Sequence, residues 1–200
     1  LNKDSLTRIA VIGPIADWMQ LGAYSGIPVV WNTALHAIIH KFSRPGKYVD
    51  YAPGSPYYGP EDTAACNLAV NLAKNADVAV IVCGTDPEWA HEEKDRTTLD
   101  LPAVQDSLII RVSRANPKTV VVLVSGYPLS VNGIYEQVPG LISAWYNGQA
   151  QGTAIADVLF GDYNPGGKLT STWYRSVDDL PPMDHYDVKE NRTYLYFNGS

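Results

Sequence analysis

Acidic side chains concentrate in one segment of this sequence, residues 84–102, which we name the acidic loop. Its acidic residues are Asp86, Glu88, Glu92, Glu93, Asp95 and Asp100, with basic side chains between them. Neighbouring carboxylates disfavour each other's ionisation, and a carboxyl group that stays protonated can donate a proton. A long charged loop after a buried strand is also a usual position for function. The acidic loop is therefore where we expect a functional site.

Three other kinds of site lack their motifs in this sequence. Gly13 is followed by Pro-Ile-Ala-Asp, so the glycine-rich turn that binds a dinucleotide is absent, and so is a phosphate-binding P-loop. The G-x-S-x-G turn of serine hydrolases is absent as well. His36 and His40 share a predicted helix face without the glutamate of an HExxH zinc site, so we interpret them as a solvated or packed face. We expect no cofactor and no metal.

The composition argues against two classes of partner. Fifteen Lys and Arg against 21 Asp and Glu give a formal net charge of −6, whereas nucleic-acid binding needs a basic face. No apolar stretch approaches the ~20 residues of a membrane span, so we expect no membrane partner. The chain has 13 Tyr and 5 Trp beside 3 Phe, and such amphipathic rings suit surfaces that contact sugars or other domains.

Apolar runs alternate with helical patterns along the chain. We predict strands at residues 9–13, 48–52, 78–83, 119–124, 141–146 and 168–173, and helices at 34–42, 61–75, 102–115, 131–137 and 149–160. The third and fourth runs are apolar on both faces, as in the middle of a parallel sheet. This order predicts an α/β fold: a three-layer α/β/α sandwich with a mostly parallel sheet of about six strands. Cys66 and Cys83 are expected in its core.

Ligands of open parallel sheets bind outside the carboxyl ends of the strands. The acidic loop follows the third predicted strand and therefore belongs to that edge. The loops expected beside it are residues 14–28, 53–60, 125–131 and 146–151.

Several motifs resemble the second domain of glycoside hydrolase family 3, which includes β-glucosidases and β-xylosidases. They are Ile9-Ala-Val-Ile-Gly-Pro14, Leu21-Gly-Ala-Tyr-Ser-Gly-Ile-Pro28, Tyr51-Ala-Pro-Gly54, Asp95-Arg96 with Leu99-Asp-Leu-Pro102, and the long match from Ala144 to Leu169. The resemblance implies a sandwich domain over residues 1–175. It also implies that residues 176–200 form an extended segment leading to a fibronectin-like domain outside these 200 residues.

The resemblance also implies how the active site is divided. In that family an aspartate on an N-terminal (β/α)8 barrel is the nucleophile, and a glutamate on a loop of the second domain is the general acid/base. The family pattern is Glu-x-Glu-Gly-x-Asp-Arg, with the second glutamate catalytic. Alignment on Asp95 and Arg96 places that glutamate at Glu92. Ala90 replaces the first glutamate and Glu93 replaces the glycine, so Glu93 is the runner-up and Glu88 the third candidate.

The resemblance suggests roles for further residues. Ser25 and Tyr24 lie in a loop that reaches the sugar in some family members, although a plain turn between Gly22 and Gly26 explains that loop equally well. Trp89 is expected to stack on a sugar face or on the barrel. Two further expectations concern structure alone: Asp95 and Arg96 form an internal ion pair, and Trp145 belongs to the core.

The implied function is the acid/base half of a retaining β-glycosidase acting on terminal β-D-xylosyl or β-D-glucosyl residues of an oligosaccharide. These 200 residues contain no counterpart of the barrel, so we expect the isolated chain to be inactive. A non-catalytic carbohydrate-binding module and a structural domain are the alternatives. A secreted or periplasmic location is favoured for the parent enzyme.

Overall fold

The computed structural model describes residues 1–198 and contains one five-stranded parallel sheet with the strand order β2-β1-β3-β4-β5. Every neighbouring pair in the sheet is parallel. The strands are β1 (Arg8–Ile12), β2 (Tyr48–Ala52), β3 (Val78–Gly84), β4 (Thr119–Val124) and β5 (Gly140–Ser143). The helices are α1 (Ala34–Phe42), α2 (Thr63–Lys74), α3 (Ala103–Ala115), α4 (Asn132–Tyr135) and α5 (Gln151–Phe160).

Alternate side chains of the central strands enter two separate cores. Val80 and Val82 face the layer of α1 and α5, whereas Ile81 and Cys83 face the layer of α2, α3 and α4. Both faces of β3 are therefore covered, which explains its unbroken apolar sequence. The predicted three-layer α/β/α sandwich is confirmed. Cys66 and Cys83 are both unpaired and buried, as expected.

The sheet has five strands because the last expected strand is absent. Residues 168–173 contain no strand: positions 168–170 are exposed, and Trp173 instead packs edge-on against Trp145. An alternating sequence forms a strand only where a partner edge accepts its backbone, and this segment runs over the surface. The strand expected at 141–146 ends at Ser143, since Trp145 has a φ of 47°. Trp145 is half-buried rather than part of the core.

Residues 162–198 follow the sandwich as turns and short helical segments, mostly exposed. The carbonyl of Arg175 accepts hydrogen bonds from Ser130 Oγ and Asn132 Nδ2, both at 2.7 Å, which ties this segment to α4. The expected boundary near residue 175 therefore lies at a point of attachment. Gly199 and Ser200, the end of the segment expected to lead to a further domain, lie outside the described residues. None of the described helices combines the length and apolarity that a membrane crossing requires.

The end of β3 approaches its neighbour unusually closely. Gly84 has a φ of 147°, and a Cβ at this position would lie 1.8 Å from the carbonyl oxygen of Val124. Only glycine permits that contact between two backbones. The end of β3 can therefore lie directly against β4, and the acidic loop begins at the carboxyl edge of the sheet.

Asp106 on α3 gives the fold a pH dependence. Burial, and secondarily the nearby Asp100, raise the pKa of Asp106 to about 6. Because the folded-state pKa exceeds the unfolded one, the protonated form favours folding, and stability falls as the pH rises between about 4 and 6. The full shift corresponds to about 3 kcal/mol, which screening at this half-buried side chain reduces to about 1 kcal/mol.

We predict that Asp106→Asn equals the wild type in free energy of unfolding at pH 4 and exceeds it by about 1 kcal/mol at pH 7. Urea denaturation at both pH values measures the difference. Asp184→Asn, at an exposed position, controls for the loss of one charge. A difference that is the same at pH 4 and pH 7 would contradict the prediction.

Candidate active site

The acidic loop begins with a fixed turn at the end of β3. One carboxylate oxygen of Asp86, Oδ1, accepts two hydrogen bonds. One comes from the hydroxyl of Tyr58 and the other from the backbone N–H of Trp89, at 3.0 Å. The carbonyl of Asp86 accepts the same Trp89 N–H at 3.1 Å. A side chain that bonds to the backbone three residues later stabilises a turn. Residues 86–89 therefore have a defined course.

A buried amide holds the base of the loop. Gln105 has no exposed surface, and its Oε1 accepts the N–H of Gly84 at 2.9 Å. Its Nε2 donates to the carbonyls of Gly84 and Tyr57, each at 2.9 Å. Gln105 thus joins the end of β3 to the loop that follows β2.

The tip of the acidic loop is a two-residue turn. His91 and Lys94 form an antiparallel bridge, with N–H···O distances of 3.0 and 3.3 Å, and Glu92 and Glu93 lie between them. The ammonium group of Lys94 donates to the carbonyl of Glu88, which closes the loop behind the tip. Glu88, Glu92 and Glu93 are all exposed. The structure therefore brings the three candidate carboxylates into one protruding segment.

Glu93 occupies a backbone conformation that favours glycine. Its φ is 69°, in the left-handed region, where a side chain costs about 1 kcal/mol. Glycine is the residue that the resemblance implied for this position. The backbone at position 93 is therefore one that glycine adopts more easily than glutamate does.

The return half of the acidic loop is fixed by Arg96. Its guanidinium donates to the carbonyl of Pro128 at 2.6 Å and lies over the ring of Tyr127, 4.0 Å from the ring centre. Burial lowers the pKa of Arg96. The expected ion pair between Arg96 and Asp95 is wrong: among the described residues the Arg96 guanidinium is directed to the loop after β4, and Asp95 is exposed.

Trp89 stacks on protein rather than standing free. Its ring lies 5.0 Å from that of Tyr58, with 13° between the two planes. Its indole N–H is buried without a hydrogen-bond partner, and an unsatisfied buried donor costs about 1–3 kcal/mol. One face of Trp89 is therefore committed to Tyr58, while the N–H has no acceptor within the described chain.

Ser25 and Tyr24 lie in a different exposed loop. The N–H of Ser25 donates to the carbonyl of Gly22 at 2.9 Å, which is the turn that the glycines predicted. Tyr24 is 83% exposed, and Ile27 and Val29, just beyond it, exceed 90%. Among the described residues no hydrogen bond or ring contact joins Ser25 or Tyr24 to the acidic loop.

A cleft of about 820 Å³ adjoins the return half of the acidic loop. Its walls are Asp95, Arg96 and Leu99 on one side and the segment from Thr170 to Tyr194 on the other. The described residues include no group of three or more His, Cys, Asp or Glu side chains arranged to hold a metal ion. The side chains that line the cleft include hydroxyl, aromatic and carboxyl groups.

Sequence reasoning missed Tyr58, Asp86 and Gln105. Asp86 was visible in the acidic loop, but its partner lies 28 residues earlier. β1 separates β2 from β3 in the sheet, so only the strand order and the course of both loops bring the pair together. No pattern along the chain signals this contact.

The glycosyl hydrolase family 3 C-terminal domain model matches residues 1–200. A beta-xylosidase of Formosa agariphila is 36% identical over 191 residues, covering 90% of this chain and 26% of that protein. An exo-alpha-(1->6)-L-arabinopyranosidase of Bifidobacterium breve is 36% identical over 185 residues, covering 92% and 24%. The crystal structure of a GH3 beta-glucosidase of Bifidobacterium adolescentis superposes with a TM-score of 0.81 at 34% identity, covering 93% of this chain and 27% of that one. The chain thus spans about a quarter of the length of these relatives.

We predict that Glu93→Gly raises the free energy of unfolding by about 0.5–1 kcal/mol, because glycine adopts a φ of 69° without strain. Glu92→Gly is the matched control. Glu92 is not among the described non-glycine residues with positive φ, so there glycine only adds freedom to the unfolded chain and lowers stability. Urea denaturation of both variants tests this. Equal loss of stability in the two variants would contradict the strained turn.

Proposed function

The chain belongs to the glycosyl hydrolase family 3 C-terminal domain family, and we propose that it supplies the general acid/base of a retaining β-glycosidase through Glu92. The observation that carries the proposal is the turn at the tip of the acidic loop. Glu92 stands exposed in that turn, immediately before a residue whose φ of 69° matches the family's glycine.

In the proposed reaction Glu92 acts twice. Its protonated carboxyl donates to the glycosidic oxygen while an aspartate of the barrel attacks the anomeric carbon. The bond to the leaving group breaks and a covalent glycosyl-enzyme forms. The resulting Glu92 carboxylate then takes a proton from water, whose oxygen displaces the aspartate and releases the sugar. The two carboxyl groups must lie about 5–5.5 Å apart across the sugar, which requires the barrel to face the loop tip.

The exposure of Glu92 supports a shared site. A general acid that works near neutral pH needs its pKa raised by burial or by neighbouring negative charge. Solvent surrounds the side chains of Glu92 and Glu93 in this chain. Desolvation must therefore come from a second domain and from the substrate. We infer an N-terminal (β/α)8 barrel as that partner.

The proposed substrate is an oligosaccharide with a terminal non-reducing β-D-xylosyl or β-D-glucosyl residue. The names of the relatives, a beta-xylosidase and a beta-glucosidase among them, support this range without choosing within it. Tyr24 and Ser25 are proposed to line the sugar subsite from their exposed loop. Trp89 is proposed to contact substrate or barrel with the face that Tyr58 leaves uncovered. Residues 176–200 are proposed to lead to a fibronectin-like domain.

We predict that Glu92→Ala, in the enzyme that joins this chain to its barrel, lowers kcat/KM for methyl β-xyloside or methyl β-glucoside by about 10²–10⁴-fold. A 2,4-dinitrophenyl glycoside should suffer less in its glycosylation step, because its leaving group needs little protonation. Azide should restore turnover of the dinitrophenyl glycoside, for which the variant is slow in releasing the sugar, because azide replaces water as a nucleophile that needs no general base. Steady-state kinetics and identification of the glycosyl azide measure these effects.

Glu88→Gln and Glu93→Gly are the matched controls, and we expect both to remain within about tenfold of the wild type. If Glu93→Gly behaves as Glu92→Ala is expected to, the acid/base assignment moves to Glu93. Unchanged kinetics in all three variants would instead favour a non-catalytic carbohydrate-binding or structural domain.

We also predict that the 200-residue chain alone shows no turnover of aryl β-xylosides or β-glucosides above the buffer rate. Without the nucleophile no covalent intermediate forms, and acid assistance by itself contributes only about 10²–10⁴-fold. A discontinuous assay with purified chain tests this. Robust turnover that is lost in Glu92→Ala would mean that the chain carries its own nucleophile.

A further inference from the structure

We propose that Tyr58 and Asp86 are positioning residues that fix the direction in which the acidic loop presents Glu92. The inference rests on the proposed function of Glu92. It concerns a contact between two loops that are not neighbours in sequence, one after β2 and the other after β3. Neither residue is assigned a part in the proton transfer itself.

The Asp86 carboxylate fixes the start of the loop. Its Oδ1 accepts two hydrogen bonds, one from the hydroxyl of Tyr58 and one from the backbone of Trp89. Burial and the adjacent Asp86 carboxylate raise the pKa of Tyr58, so its hydroxyl keeps the proton that it donates. Hydrogen bonds to a charged acceptor are among the stronger ones in proteins.

Ring stacking holds the same contact from the other side. The ring of Trp89 lies nearly parallel to that of Tyr58, with 5.0 Å between the ring centres, and such aromatic pairs stabilise a contact beyond the burial of their surface. Tyr58 therefore contacts the first turn of the acidic loop at two points, Asp86 through its hydroxyl and Trp89 through its ring. A change in the direction of this turn relative to β3 requires both contacts to break.

Tyr58 is itself anchored. The carbonyl of its neighbour Tyr57 accepts a hydrogen bond from the buried Gln105, and Gln105 also binds both peptide groups of Gly84. The loop after β2 is thus a rigid support attached to the point where the acidic loop leaves the sheet.

The rigid first turn transmits its orientation to the tip. Only Ala90 separates Trp89 from the bridge at His91, and the Lys94 ammonium group donates a hydrogen bond back to the carbonyl of Glu88. Glu88 lies within the turn that Asp86 stabilises. The glutamates at the tip are therefore connected to the Tyr58–Asp86 contact by one closed set of hydrogen bonds, with no free linker between them.

The test uses Tyr58→Phe in the enzyme that joins this chain to its barrel. This variant keeps the stacked ring and removes only the hydroxyl. We expect kcat for the methyl glycoside to fall about tenfold, the effect of losing about 1.4 kcal/mol of positioning. KM should stay within about twofold, and kcat for the dinitrophenyl glycoside should change less than about threefold. The expected signature is a steeper dependence of kcat on the pKa of the leaving group.

Tyr57→Phe is the matched control, since it removes a neighbouring hydroxyl that binds Gln20 rather than the acidic loop. We expect it to leave the leaving-group dependence unchanged. The melting temperatures of both variants are measured in parallel, and the expected difference between them is under about 3 °C.

The outcomes separate this inference from the proposed function. A loss in Tyr58→Phe that is equal for both classes of leaving group, or no loss at all, overturns the inference. If Glu92→Ala still shows azide-rescued loss in that case, the proposed function stands by itself. If Glu92→Ala has no effect on either substrate, both the proposed function and this inference fail.

Discussion

The peptide group of Gly84 is buried at the end of β3, where water is not available to satisfy its hydrogen bonds. Pairing with β1 ends at Ile81, while pairing with β4 continues to Gly84. Gln105 binds both the N–H and the carbonyl of Gly84, and the absence of a Cβ lets the strand lie against Val124. A buried backbone group without a partner would cost several kcal/mol. The fixed exit of the acidic loop depends on this solution.

The same edge of the sheet combines a rigid base with an exposed tip. Hydrogen bonds to neighbouring loops hold both ends of the acidic loop. Asp86 binds the hydroxyl of Tyr58 at the first end, and Arg96 binds the loop after β4 at the second. The glutamates at the tip face solvent. A rigid base with solvent-exposed carboxylates is what the proposed function requires, in which a second domain would supply the low-dielectric surroundings.

Periodicity along the chain predicted the sandwich, the order of its elements and the buried strands, because β3 and β4 satisfy local pattern and burial together. It failed at residues 168–173, where an alternating sequence does not pair with either edge strand of the sheet, and at Trp145, whose φ of 47° no pattern along the chain signals. The acidic loop was found from composition. Its internal geometry was not, because the contacts of Asp86 and Arg96 reach 28 and 32 residues along the chain. Glu93 is the opposite case. The resemblance implied glycine at this position, and the φ of 69° is a backbone angle that glycine adopts without strain.

Cys83 lies in the middle strand with no exposed surface, and Cys66 lies in the helical layer above it with 1% exposure. Burial raises the pKa of both thiols, and the thiolate is the reactive species. Native molecules should therefore resist alkylation, and modification should proceed only through opening of the α2–α3 layer. The rate at which the two thiols are modified therefore measures how often the α2–α3 layer opens in the native protein.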